Sequence, residues 1–144
     1  MTLFQDDSLI LHTDLYQINM MQVYFDQNIH NKNAVFEVYF RSQPFKNGYA
    51  VFAGLERVVD YLNNLRFSQT DIDYLTELGY PQDFLDYLAQ LEMTLTVRSA
   101  KEGDLVYANE PILQIEGPLA QCQLIETALL NIVNYHTLIA TKSC

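Results

Sequence analysis

Between residues 12 and 27 apolar side chains return with helical spacing. Leu11, Leu15, Ile18 and Met21 or Gln22 share one side, and Met20, Val23, Tyr24 and Phe25 widen that face. Thr13 is placed to cap this helix by accepting a backbone N–H, and Asp14 in its first turn meets the positive helix end. The short polar stretch NIHNKN, residues 28–33, then breaks the period. AVFEVYFRSQPF alternates like a strand, with Val35, Glu37, Tyr39 and Arg41 on one side and Phe36, Val38 and Phe40 on the other. Pro44 brings no donor to a sheet ladder and ends it, and residues 46–48, Lys-Asn-Gly, predict a turn.

A short extended piece in YAVF leads into a helix from about Gly54, with Leu55, Val58, Val59 and Leu62 as its inner stripe. Residues 68–78 predict a further helix in which Ser68 caps the start, Asp71 completes a capping box and Gly79 terminates the last turn. In PQDFLDYLAQL, Pro81 suits a first helical position and Phe84, Leu85, Leu88 and Leu91 form the buried face. The texture changes over residues 94–117. TLTVRSA, LVYA and ILQIEG read as strand pieces separated by the turns KEGD and NEP, and in the last piece Ile112, Gln114 and Glu116 oppose Leu113 and Ile115. Gly103 and Gly117 are expected at tight bends.

The segment opening at Pro118 is apolar around most of its circumference. Leu119, Cys122, Ile125, Leu129, Ile132 and Val133 make one band, and Leu124, Ala128, Leu130, Leu138 and Ile139 fill others. A helix of that kind needs cover from several elements, which is demanding for 144 residues, so a further domain or a partner is the expected cover and the chain reads as a fragment. The fold class is α+β: a small antiparallel sheet, peripheral helices and one long apolar C-terminal helix. Residues 1–117 read as an amino-terminal domain and 118–144 as a connecting helix.

Composition narrows the function classes. A net charge of -10 with eight Lys and Arg gives no basic groove for nucleic acid. The apolar runs stop short of a membrane span, and the acidic start MTLFQDDS lacks the pattern of an export signal, so no membrane is expected and the cytoplasm is the default compartment. Cys122 and Cys144 read as free thiols. The chain has no GxGxxG, Walker loop, CxxC pair or HExxH, and His12, His30 and His136 lack the spacing of a shared metal. The pairs Asp71 with Asp73 and Asp83 with Asp86 read as solvated helix residues, and Tyr24, Tyr61, Tyr87 and Tyr135 as packing aromatics. No catalytic or metal site follows from these residues alone.

Three stretches carry a resemblance: LHTDLYQINM, FEVYFRSQPFKNGYAVFAGLERVVDYL, and GDLVYANEPILQIEGPLAQCQLIETALLNIVNYHTLIATKS. In that order, and over nearly the whole chain, they resemble the amino-terminal part of nicotinate phosphoribosyltransferases. EGDLVYANEPILQIEG with the following helix is more distantly similar to quinolinate phosphoribosyltransferases. The resemblance implies an enzyme of NAD biosynthesis that joins nicotinate to the ribosyl carbon of phosphoribosyl pyrophosphate, with ATP hydrolysis through a phosphorylated histidine outside this chain. It implies a homodimer in which this domain meets the α/β barrel domain of the neighbouring subunit, the final helix leading toward that barrel. Mg2+ and ATP are expected for the full-length enzyme, and none held by this chain alone. Tyr16 matches the aromatic residue that stacks on nicotinate, Asp14 is placed near the same pocket, and Arg41 is the candidate cation for carboxylate or phosphate oxygens. Gln17 is a candidate to support Tyr16, His136 is read as a packed helix residue, and Lys142 is a candidate for approaching phosphates. The rival reading is a noncatalytic dimerisation or heterocycle-binding domain that uses Tyr16 and the exposed surface of the final helix.

Overall fold

A computed structural model describes residues 15–39, 49–107 and 110–142. The elements run α1 (Leu15–Asp26), β1 (Asn33–Val38), β2 (Ala50–Val51), α2 (Leu55–Asn64), α3 (Gln69–Glu77), α4 (Gln82–Ala89), β3 (Thr96–Ser99), β4 (Leu105–Val106), β5 (Leu113–Pro118) and α5 (Leu119–Lys142). The fold is α+β. The expected single sheet is two: an antiparallel three-stranded sheet of order β1-β5-β3 and a separate antiparallel ladder of β2 with β4. LVYA does not extend the larger sheet because its partner is the short piece at Ala50, with Ala50 opposite Val106 and Val51 opposite Leu105.

β5 is central, and Phe36 pairs with Ile115 on one side while Val97 pairs with Ile115 on the other. Its inward residues are Leu113, Ile115 and Gly117, with Gln114 and Glu116 turned to the outer face. Gly117 lies inside this strand and not at a bend; a Cβ there would stand 2.7 Å from Leu95 Cδ2, so its missing side chain is what lets Leu95 close on the sheet. Ile112, one residue before the strand, is buried despite sharing parity with Gln114, since its backbone joins Val38 and Ala100.

α5 lies across this assembly. Its amino half is buried at Ala120, Gln121, Cys122, Leu124 and Ile125, and its carboxyl half only along Leu129, Val133 and Thr137. Ile18 and Met21 of α1, Phe52, Val58 and Tyr61 around α2, and Phe84, Leu85 and Leu88 of α4 complete the core. In α2 the inner stripe includes Tyr61, whereas Val59, expected inside, is exposed. α3 carries its capping box: Ser68 Oγ accepts from Asp71 N at 3.2 Å and Asp71 Oδ2 accepts from Ser68 N at 2.8 Å. Asp71 is fully buried by that role, against the solvated reading, whereas Asp73 and Asp86 accept from Gln69 and Gln82 at the surface. Pro81 is the cap of α4 and Gln82 its first helical residue, one position later than expected. No described helix is long and apolar enough to cross a membrane.

Candidate functional site

α1 presents different chemistry on its two faces. Ile18 and Met21 are fully buried and Gln17 is 8% exposed, whereas Tyr16 is 58% exposed and shares the outward face with Asn19 and Val23. Leu15, expected inside, is 38% exposed. The inner stripe therefore runs through an amide in place of a leucine, and α5 explains why. Gln17 Nε2 donates to Thr127 Oγ1 at 3.0 Å, and Gln17 Oε1 accepts a hydrogen bond from Gln123 Nε2. Gln123 Oε1 in turn accepts from the Tyr24 hydroxyl at 3.3 Å. Both ends of the Gln17 amide are satisfied, which its burial requires: an unpaired buried amide group costs about 1–3 kcal/mol. Asn19 accepts from the hydroxyl of Tyr80, on the turn between α3 and α4, so α1 is also held from a second side.

Sequence periodicity does not mark Gln123 or Thr127. They lie four residues apart on a helix whose apolar character hides them, and their counterparts Gln17 and Tyr24 lie seven apart on α1. Two polar pairs at helical spacing, each interrupting an apolar face, are the signal that joins them. Asp14 and Arg41, with Thr13 and Cys144, lie outside the described residues.

A cleft of about 650 Å³ opens elsewhere, at the amino end of α2, between Gly54, Arg57, Asp60, Glu102 and His136. Tyr16 does not line it. Glu102 caps α2 here, with Oε2 accepting from Gly54 N at 3.2 Å and Oε1 from Leu55 N at 3.1 Å. Gly54 has φ 107°, and a Cβ on it would stand 3.1 Å from His136 Cβ, so His136 is packed on the helix start. Its ring meets Tyr135 edge-on at 5.3 Å. Tyr135 itself is 63% exposed, contrary to the packing expectation. Among the described residues no group of three or more His, Cys, Asp or Glu side chains is arranged to hold a metal ion. Cys122 is buried and free, and burial pushes its thiol up to about 11.

The model of the nicotinate phosphoribosyltransferase N-terminal domain matches residues 11–134. The chain is 60% identical over 141 residues to the nicotinate phosphoribosyltransferase of Bacillus subtilis (strain 168), covering 97% of this chain and 29% of that protein. To the nicotinate phosphoribosyltransferase of Caenorhabditis elegans it is 46% identical over 143 residues, covering 95% of this chain and 25% of the relative. The chain thus spans less than a third of the curated relatives it matches. The crystal structure of human nicotinic acid phosphoribosyltransferase superposes with a TM-score of 0.84 at 36% identity, over 90% of this chain and 27% of that one. Nicotinate-nucleotide pyrophosphorylase from Pyrococcus furiosus, at 24% identity and a TM-score of 0.64 over 92% of this chain and 27% of that one, shares the fold. By the match over residues 11–134 and by these identities, the chain belongs to the nicotinate phosphoribosyltransferase family, as its amino-terminal domain.

Proposed function

We propose that this domain supplies one wall of the nicotinate pocket in a nicotinate phosphoribosyltransferase of NAD biosynthesis. In the reaction the pyridine nitrogen bonds to the ribosyl carbon of phosphoribosyl pyrophosphate, the bond from that carbon to the pyrophosphate oxygen breaks, and nicotinate mononucleotide and pyrophosphate result. ATP hydrolysis drives it through a phosphorylated histidine in the remainder of the full-length enzyme. Residues 1–117 form the amino-terminal unit, and 118–144 the helix passing toward an α/β barrel domain. In a cytoplasmic homodimer the domain faces the barrel of the neighbouring subunit.

The observation that carries this reading is Tyr16 standing outward from a helix whose other face is locked into the core. A ring held this way offers a flat face to a heteroaromatic acid and excludes water from one side of it. Asp14, two residues earlier, would orient cationic groups near the same pocket, and Arg41 would hold carboxylate or phosphate oxygens in a bidentate grip. Mg2+ would neutralise charge on the polyphosphate and its leaving group. Among the described residues of this domain no group of three or more His, Cys, Asp or Glu side chains could hold that ion.

The test is Tyr16→Ala in the full-length protein. The expected result is a rise of about tenfold or more in the KM for nicotinate, with little change in the KM for phosphoribosyl pyrophosphate or in ATP hydrolysis. Equal, small effects on all three would overturn the stacking role.

A further inference from the structure

Tyr16 and Gln17 are consecutive, so their side chains leave α1 about 100° apart around its axis. Whatever fixes the direction of one fixes the other. The apolar contacts of α1, Ile18 and Met21, hold the helix against the core, but apolar burial is non-directional and sets no specific rotation about the helix axis. For a ring roughly 6 Å from the helix axis, a rotation of about 20° would be a displacement of about 2 Å. A stacking residue tolerates far less, since a misplacement of about 1 Å can cost on the order of a hundredfold in rate.

Hydrogen bonds are directional where apolar contacts are not. Gln17 is nine-tenths buried and pairs at both ends of its amide, to Thr127 Oγ1 at 3.0 Å and to Gln123, and Gln123 carries the chain on to Tyr24. The two α1 members lie seven residues apart, or about 10 Å along the helix, so the ladder resists rotation and tilt together. We infer that Gln17, Gln123 and Thr127 are positioning residues for nicotinate recognition: an amide ladder between α1 and α5 that aims the Tyr16 ring. This inference rests on the stacking role proposed for Tyr16. It makes specificity for the base depend on residues that never touch it.

The experiment compares Gln17→Met, an apolar side chain of similar volume, with Tyr16→Ala and the double variant, all in the full-length protein. Gln17→Met is expected to raise the KM for nicotinate about five- to tenfold and to leave the KM for phosphoribosyl pyrophosphate within about twofold. In the Tyr16→Ala background the same change should add less than about twofold, because the ladder acts only through the ring it aims. Thr127→Val, at an exposed position that spares the core, should follow Gln17→Met in direction, and Thr127→Ser, which keeps the hydroxyl, should recover most of the loss. Thr127→Val carries the test if Gln17→Met fails to fold. If Tyr16→Ala raises the KM but the ladder variants leave it unchanged, or their effects multiply with that of Tyr16→Ala, the ladder is overturned and the stacking role stands. If Tyr16→Ala itself leaves the KM for nicotinate unchanged, both fall.

Discussion

The two halves of α5 are the same helix under different conditions. Around residues 120–125 every side is covered, by α1, by β5 and by the segment before β3, where Gln121 accepts from Thr94 N at 2.9 Å and donates to Glu92 O at 3.0 Å. From Leu129 onward the buried positions thin to one stripe, and Tyr135, Leu138 and Ile139 face outward. Both halves carry adjacent large apolar residues, Leu124 and Ile125 in one and Leu138 and Ile139 in the other, so such pairs do not tell them apart. Neighbours do. In the carboxyl half, directional contacts replace area: Thr137 Oγ1 accepts from Ala53 N at 3.1 Å and donates to Ala53 O at 3.3 Å, and Thr141 Oγ1 accepts from Val51 N at 2.8 Å. Two threonines one helical turn apart thus hold the helix along the β2 backbone.

Truncation should separate the halves most strongly. Leu124→Ala removes a fully buried side chain and is expected to cost about 2–5 kcal/mol by urea denaturation. A cost near zero would mean that the amino half is not enclosed as described. Next in size, the Cys122 thiol should resist alkylation. With its proton held up to about 11, on the order of a thousandth is thiolate at pH 8, and labelling with iodoacetamide should be at least about a hundredfold slower than for a free cysteine peptide. Rapid labelling without denaturant would place Cys122 at an accessible surface.

In the carboxyl half, Thr137→Val keeps the shape but leaves Ala53 N without its acceptor, and should cost about 1–2 kcal/mol. Leu138→Ala, at a position 40% exposed, should shift stability by no more than about 0.5 kcal/mol in this chain. A cost comparable with Leu124→Ala would erase the contrast between the halves. The smallest effect belongs to Glu116, just before the helix. Its carboxyl is held below the usual value of 4.5, first by the Asn33 amide at 3.0 Å and then by Arg98 at 3.2 Å. A carboxyl lowered in the folded state adds stability above its unfolded value, and that contribution fades as pH falls through the lowered one. Glu116→Gln should therefore flatten the acid side of the stability curve slightly and leave neutral pH nearly unchanged, as befits an exposed pair.

What the sequence disclosed follows the range of the interactions. Ser68 and Asp71 are three residues apart, and their capping box is written in the local pattern. The same holds for Phe84, Leu85 and Leu88, whose spacing alone marks the inner face of α4. Gln17 belongs to the opposite case: its partner Thr127 lies 110 positions along the chain, so the local period that points Leu15 inward carries no trace of the amide and hydroxyl that α5 offers there. The division into two sheets was hidden for the same reason, since no local pattern assigns LVYA to the Ala50 strand. Of the candidate site, Tyr16 stands out through a resemblance and not through periodicity, which makes it one more packing aromatic. Asp14 and Arg41 fall outside the described residues.

β5 ends at Pro118 and α5 begins at Leu119, with no linker between them. The turn after α1 grips that junction, because the carbonyl of Lys32 accepts from Leu119 N at 2.8 Å and that of His30 from Ala120 N at 3.1 Å. Mechanically this is a lever without slack. Its fulcrum is the strand end, its long arm is more than 30 Å of helix at about 1.5 Å per residue, and its clamp is the segment that also carries α1. A torque applied near Lys142 would reach the central strand and α1 together, with no flexible joint to absorb it.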